Sequence, residues 1–173
     1  MPTIQFRTGT QFAFEQVLAL YNDVGWAACT AAPEKLERAM WQSLCVVTAW
    51  SGEELVGLLR AVGDGETILY VQDILVLRRF HQQGIGQQRL VQLLEAFADV
   101  RQIVLMTDKT SETAAFYEGC GMTAAERLQL QPFVRIKSPV QWAASCGWLF
   151  CRAERRLCLA AKKMTNFTHK HLH

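Results

Sequence analysis

Gly84 and Gly86 stand just after an apolar run that ends at Leu77, and just before residues with helical periodicity. A strand, closely spaced glycines and a helix start together present backbone N–H groups at the positive end of a helix dipole, with no side chains in the way. The chemistry this favours is binding of an anion, most simply phosphate. Main-chain donors would come from Gln82, Gln83, Gly84, Ile85, Gly86 and Gln87, with Arg78, Arg79 and His81 as flanking donors. A purely structural strand-to-helix turn is the plain alternative for the loop, and a solvated side chain for each flanking residue. Two nucleotide fingerprints are excluded: Arg89 stands where GxGxxG needs its third glycine, and no Gly-Lys-Ser/Thr of a Walker loop follows. His169, His171 and His173 alternate near the chain end and could ligate a metal only from an ordered strand, so a polar tail is expected instead. Cys120 has no histidine placed to activate it and reads as a structural thiol. No metal is expected.

Elements that would hold the loop can be read on both sides of it. A strand over 4–6 leads to a helix capped by Thr8 or Thr10, with Phe14, Val17, Leu18 and Tyr21 at helical spacing and Gly25 as its stop. After a loop over 26–32, Pro33 suits the first turn of a second helix carrying Leu36, Ala39 and Met40. Strands over 44–50, 55–62 and 67–77, joined by Ser-Gly-Glu-Glu and Gly63-Asp64-Gly65, should form an antiparallel meander. From Gly84 a helix buries Ile85, Leu90, Leu93, Leu94 and Phe97, and a strand over 103–107 follows. Such a crossover makes 103–107 parallel to 67–77. A helix over 112–118 should stop at Gly119-Cys120-Gly121, and 122–127 with 130–136 should close the sheet as a hairpin.

Half of the 173 residues are hydrophobic and a fifth are charged, which bounds the chain to a globular protein with one sizeable core. A net charge of +2 makes no case for nucleic acid. No apolar run approaches the roughly 20 residues needed to span a bilayer, and the first residues lack the apolar core of a signal peptide. A cytoplasmic location without membrane contact is expected. The six cysteines lie mainly in apolar segments and form no CxxC pair, which suits buried thiols in a reducing compartment. Beyond residue 136, Pro139 can start an amphipathic helix with Trp142, Cys146, Leu149 and Phe150 on its apolar face. That face needs a partner, and a homodimer is expected.

His81-Gln82-Gln83-Gly84-Ile85-Gly86 resembles the coenzyme A pyrophosphate loop of the GNAT N-acetyltransferases, whose pattern is Arg/Gln-x-x-Gly-x-Gly/Ala. Thr113-Ala-Ala-Phe-Tyr-Glu-Gly-Cys-Gly-Met122 is similar to the family's motif B, which ends in Phe-Tyr-x-x-Leu-Gly-Phe. Val24-Gly25-Trp26, Ser43, Gly57-Leu-Leu-Arg60 and Gly63-Asp64-Gly65 resemble a small bacterial branch. The resemblance spans 4–136. Three positions depart from the pattern: His81 replaces Arg or Gln, Arg78 replaces a common proline, and Thr110 replaces a frequent asparagine that touches the cofactor.

By that resemblance the fold is α/β (α+β), a mixed and mostly antiparallel sheet whose fourth and fifth strands are parallel and splayed, with helices on both faces. Residues 1–136 would be the acetyltransferase domain and 137–173 an extension. The backbone of Leu75, Val76 and Leu77 would hold the pantetheine arm of acetyl-CoA, one N–H would stabilise the developing oxyanion, and the loop from His81 to Gln87 would hold the pyrophosphate. Tyr117 would be the general acid that protonates the departing thiolate, with a packed core tyrosine as the alternative. Asp73 would accept a proton through water or else anchor a neighbouring loop, while Asp64 reads as a turn former and Tyr70 as core. The implied activity is acetyl transfer to a primary amine of a small molecule by direct attack in a ternary complex. The acceptor would lie near Tyr21, Trp26, Met40 and Trp41. A non-catalytic acyl-CoA-binding module and a protein or peptide N-acetyltransferase remain open.

Overall fold

The computed structural model describes residues 3–135. In chain order these form β1 (Ile4–Thr8), α1 (Phe14–Asp23), a short α2 (Ala27–Thr30), α3 (Pro33–Trp41), β2 (Cys45–Ser51), β3 (Glu54–Gly63), β4 (Ile68–Val76), α4 (Ile85–Ala96), β5 (Gln102–Leu105) and α5 (Ser111–Gly119). The strands make one five-stranded sheet in the order β1-β2-β3-β4-β5. Neighbours from β1 to β4 are antiparallel, and β5 lies parallel to β4 because α4 carries the chain back across the sheet.

Helices cover both faces. Leu58 and Leu59 are consecutive residues of β3 and so point to opposite sides. Leu58 joins the cluster that includes Val17, Leu20, Tyr21, Leu36 and Met40 of α1 and α3, whereas Leu59 joins Leu90 and Leu93 of α4. Alternation in β4 is broken once. Arg60 of β3 stands opposite Asp73 but the next residue, Ala61, stands opposite Val71, so Gln72 is the extra residue of a β-bulge. Leu69 and Val71 therefore face α4, while Leu75, four positions further along and past the bulge, faces α1 and α3.

Asp64 makes the reversal into β4. Its Oδ1 accepts the N–H groups of Glu66, Thr67 and Ile68 at 2.9, 2.8 and 3.0 Å, and Thr67 Oγ1 donates to Oδ2 at 2.7 Å. Those bonds, the Ile68 N–H foremost, hold the carboxyl far below the usual range. Gly63 is required beside it: at φ +153° a Cβ would fall 2.2 Å from the Ile68 carbonyl oxygen.

Three local expectations are corrected. Helix α1 begins at Phe14 behind Ala13, with no side-chain cap, because Thr8 is spent on pairing with Val47 at the end of β1. The loop over 26–32 holds the single turn α2. The hairpin over 122–136 is absent from the described residues: Ala125–Leu128 is a 3-10 turn, and Gln129 turns the chain with φ +55°. Ala, Glu, Arg and Leu favour a helical turn over a strand, and Pro132 has no N–H to give a ladder. Leu128, Leu130, Phe133 and Val134 are exposed as a result, Phe133 at 89%. The extension 137–173, with its expected helix and dimer contact, lies outside the described residues, as do the three terminal histidines. No helix among the described residues is long and apolar enough to cross a membrane.

Candidate active site

The site begins where β4 loses a neighbour. β5 pairs with β4 only from Ile68↔Gln102 to Val71↔Leu105, whereas β4 continues to Val76. Past the bulge, that edge of β4 has no strand beside it among the described residues. Which groups face the opening follows from the register. The Leu77 N–H donates to the Val56 carbonyl at 2.9 Å, so Leu77 and, two residues back, Leu75 turn their main-chain groups toward β3. Val76 and Ile74 turn theirs into the gap. Of Leu75, Val76 and Leu77, then, only Val76 offers its backbone there, and Ile74 joins it. Nothing in the sequence marks the bulge that fixes this parity.

The loop closes the gap's far end. A 3-10 turn, Arg78–Phe80, buries Phe80 and is followed by Gln82 at φ +60° and Gly84 at φ +75°. Gly84 caps α4 in the left-handed region, and the first helical bond runs from the Gln88 N–H to the Gly84 carbonyl at 2.9 Å. The N–H groups of Ile85, Gly86 and Gln87 come before it and have no intrahelical acceptor. A Cβ on Gly84 would meet nothing within 4 Å, so the loop opens onto free space. At Gly86 a Cβ would lie 3.6 Å from the Phe116 ring and 3.7 Å from the Ile74 side chain, which are ordinary contacts. The protein's own packing therefore leaves room for a Cβ at 86.

The flanking donors are directed elsewhere. Arg79 is ion-paired with Glu54, and His81 Nε2 lies 2.8 Å from the Val76 carbonyl oxygen. The Arg78 N–H is held by Asp23 Oδ2 at 2.8 Å, and its guanidinium lies beside Gly25.

Asp73 is an anchor in this geometry. Its Oδ2 accepts both the Tyr21 hydroxyl at 2.8 Å and Arg60 Nε at 2.5 Å, and the residue is 2% exposed. Arg60 Nη1 reaches Ser43 Oγ at 3.4 Å, and that hydroxyl donates to the Ala39 carbonyl at 2.6 Å. The chain of bonds ties α1 and α3 to the sheet at the bulge. Burial, and next the Asp73 charge, push the Tyr21 phenol far above its usual range. A carboxylate that accepts from both a cation and a phenol fits the anchoring alternative for Asp73.

Tyr117 sits differently. Its helix α5 is capped by Thr110, whose Oγ1 accepts the Thr113 N–H at 3.2 Å while Thr113 Oγ1 accepts the Thr110 N–H at 3.3 Å. The departure at Thr110 thus supplies a helix cap. Tyr117 is half-buried, with its ring edge-on to Phe116 at 5.0 Å, and Phe116 borders Gly86 and Ile74. Burial raises its pKa against a lowering hydrogen bond with Thr107, two residues past the end of β5. The phenol keeps its proton at neutral pH.

The expected acceptor wall divides. Tyr21 and Met40 are core, Trp26 packs edge-on to Tyr21 at 6.0 Å, and Trp41 is 63% exposed. A cleft of about 590 Å³ opens between α1 and the start of β3, over Leu20, Leu55 and Leu77. One residue entered the sequence reading only as the mismatch to GxGxxG, and its burial was not expected. Arg89 is 4% exposed, its guanidinium lies 3.0 Å over the Phe6 ring, and Nε and Nη2 have no hydrogen-bond partner. Desolvation lowers its pKa to about 10. Its place, where the helical pattern calls for an apolar residue, was the available signal. Among the described residues no group of three or more His, Cys, Asp or Glu could hold a metal ion.

Comparison with known proteins agrees with this geometry. The chain is similar over 78% of its length to an acetyltransferase, GNAT family protein from Streptococcus pneumoniae, at 33% identity and a TM-score of 0.70, covering 98% of that chain. It shares the fold of an aminoglycoside acetyltransferase from an uncultured soil metagenomic sample, solved with sisomicin, at 16% identity and a TM-score of 0.57, over 77% of this chain and 93% of that one. A transcriptional regulator from Bacillus halodurans has the same fold, at 19% identity and a TM-score of 0.61, over 78% and 99%. No curated protein matches significantly. The family model for the acetyltransferase (GNAT) family matches residues 13–122, from the start of α1 through the loop, the gap and motif B, and by that match and the pneumococcal likeness the chain belongs to the GNAT acetyltransferase family.

Proposed function

We propose that the protein is an acetyl-CoA-dependent N-acetyltransferase that passes an acetyl group to a primary amine of a small molecule by direct attack in a ternary complex. The observation that carries the reading is the one-sided opening of β4 beyond its bulge, with the Gly84 and Gly86 loop and a helix N-terminus at the strand's end. These residues fit the co-substrate. Free N–H groups of Ile85, Gly86 and Gln87 suit its phosphates, and unpaired main chain at Ile74 and Val76 suits an extended, amide-bearing arm. When bound, acetyl-CoA supplies an activated thioester.

The chain's own residues do the rest. The Val76 N–H, fixed by the sheet and aimed into the gap, is a preorganised donor for a developing oxyanion. Tyr117 keeps a proton for a leaving thiolate, because burial holds its phenol neutral. With Asp73 bonded to Arg60 and Tyr21, the amine's proton leaves through water. The acceptor approaches over α1, α3 and the exposed Trp41, and aligning it with the electrophile is the main catalytic task. A cytoplasmic homodimer is the proposed working form, on sequence grounds alone.

The commitment of Asp73 favours one other reading, an acyl-CoA-binding module without turnover. Thiol release from acetyl-CoA, measured against panels of small amines and of peptides, separates the two. Release with small amines supports the proposal; release with peptides alone moves the acceptor to protein; CoA binding without release from either panel would favour the binding module.

A further inference from the structure

Val76 has the last main-chain carbonyl of β4 to face the gap, and the protein has already given it a partner. His81, five residues on and exposed, sets Nε2 2.8 Å from that oxygen. A carbonyl only accepts, so this ring nitrogen carries the hydrogen. The contact folds the first residue of the expected phosphate loop back onto the strand, and its imidazole occupies the edge of β4 where an arm's amide N–H would be received.

Resting on the reading that the gap receives a pantetheine arm, we propose that His81 is a latch on the gap, holding the Val76 carbonyl in the free protein and swinging out when an extended amide-bearing ligand lies along β4. Three features make the exchange feasible. The imidazole is at the surface, so leaving costs little packing. The opposite edge of β4 is fixed to β3 by the Leu77–Val56 bond, so the carbonyl keeps its direction when the ring departs. The phosphate-facing N–H groups belong to Ile85, Gly86 and Gln87, beyond the latch, so a nucleotide end can be held without disturbing it.

The latch separates two ligands that a phosphate-contacting histidine would treat alike. Coenzyme A carries the arm; adenosine 3′-phosphate 5′-diphosphate carries the same phosphates without it. Titrated near pH 8 by calorimetry, His81→Ala should bind coenzyme A about 2- to 10-fold more tightly than wild type, the range expected when one net hydrogen bond no longer has to be displaced. Binding of this nucleotide should be unchanged. In nitrogen-15 spectra of wild type, coenzyme A should shift the His81 ring signals and the nucleotide should not. Weaker binding of both ligands by the variant, equal coenzyme A affinity in the two proteins, or a ring shift with the nucleotide would each overturn the latch while leaving the function reading standing. A wild type that binds neither ligand would remove both.

Discussion

Tyr117 and Asp73 show how much a side chain's neighbours decide. Both were expected to handle protons, yet one is a half-buried phenol near the gap and the other a carboxylate held by Arg60 and Tyr21. Tyr117→Phe should lower kcat about 10²- to 10⁴-fold for an identified acceptor and leave coenzyme A affinity nearly unchanged. Steady-state kinetics with a parallel binding titration check it, and an unaltered kcat where chemistry is rate-limiting would pass the proton to water. Asp73→Leu should cost about 3–5 kcal/mol in urea unfolding, because it strands the Arg60 charge in a mostly buried place. An accessible base would behave oppositely, with stability kept and turnover lost. The residue types were legible in the sequence. Their roles were not, because the partners of Asp73 lie 52 and 13 residues away and meet it only through the sheet.

Elements with strong local signals matched their expectation. The meander, the 3.6-residue repeat of α4, its glycine start and the parallel crossover were all readable, since each depends on periodicity or turn chemistry within a few residues. The bulge at Gln72 was not, because an extra residue in a strand has no side-chain signature, and with it went the choice of Ile74 and Val76 over Leu75 and Leu77 as the gap-facing backbone. The expected hairpin after residue 121 failed for a related reason: alternating leucines at 128 and 130 imitate a strand whose ends are helix formers and a proline. The β3–β4 reversal is the element most open to a test by pH. Asp64 has a folded pKa well below its unfolded value, so its stabilisation is complete above the unfolded pKa of about 4 and is lost as pH falls through the folded one. Asp64→Ala should therefore lower the thermal midpoint by a constant amount above about pH 5, with the difference narrowing in acid. A difference that does not depend on pH would mean the carboxylate's charge is not what holds the turn.

At the scale of the molecule, a bulge releases β4 from β5, the strand's end becomes a left-handed glycine cap, and α5 brings Phe116 and Tyr117 to the same opening. Each feature alone has a structural explanation; together they carry the proposal of a slot with an anion site at one end and an acid beside it. The central claim is that coenzyme A lies there. Calorimetric titration of wild type and Gly86→Val with coenzyme A, alongside far-ultraviolet spectra of both, tests it most directly. A Cβ at 86 meets only ordinary contacts at 3.6 Å or more within the protein, and where the spectrum is unchanged, lost binding reports the valine side chain in the path of a ligand's phosphates at the helix N-terminus. The account predicts saturable binding by wild type and loss of at least about tenfold in affinity by the variant, the equivalent of one charge-assisted hydrogen bond or more. Equal affinity in the two proteins, or no binding by wild type, would contradict it.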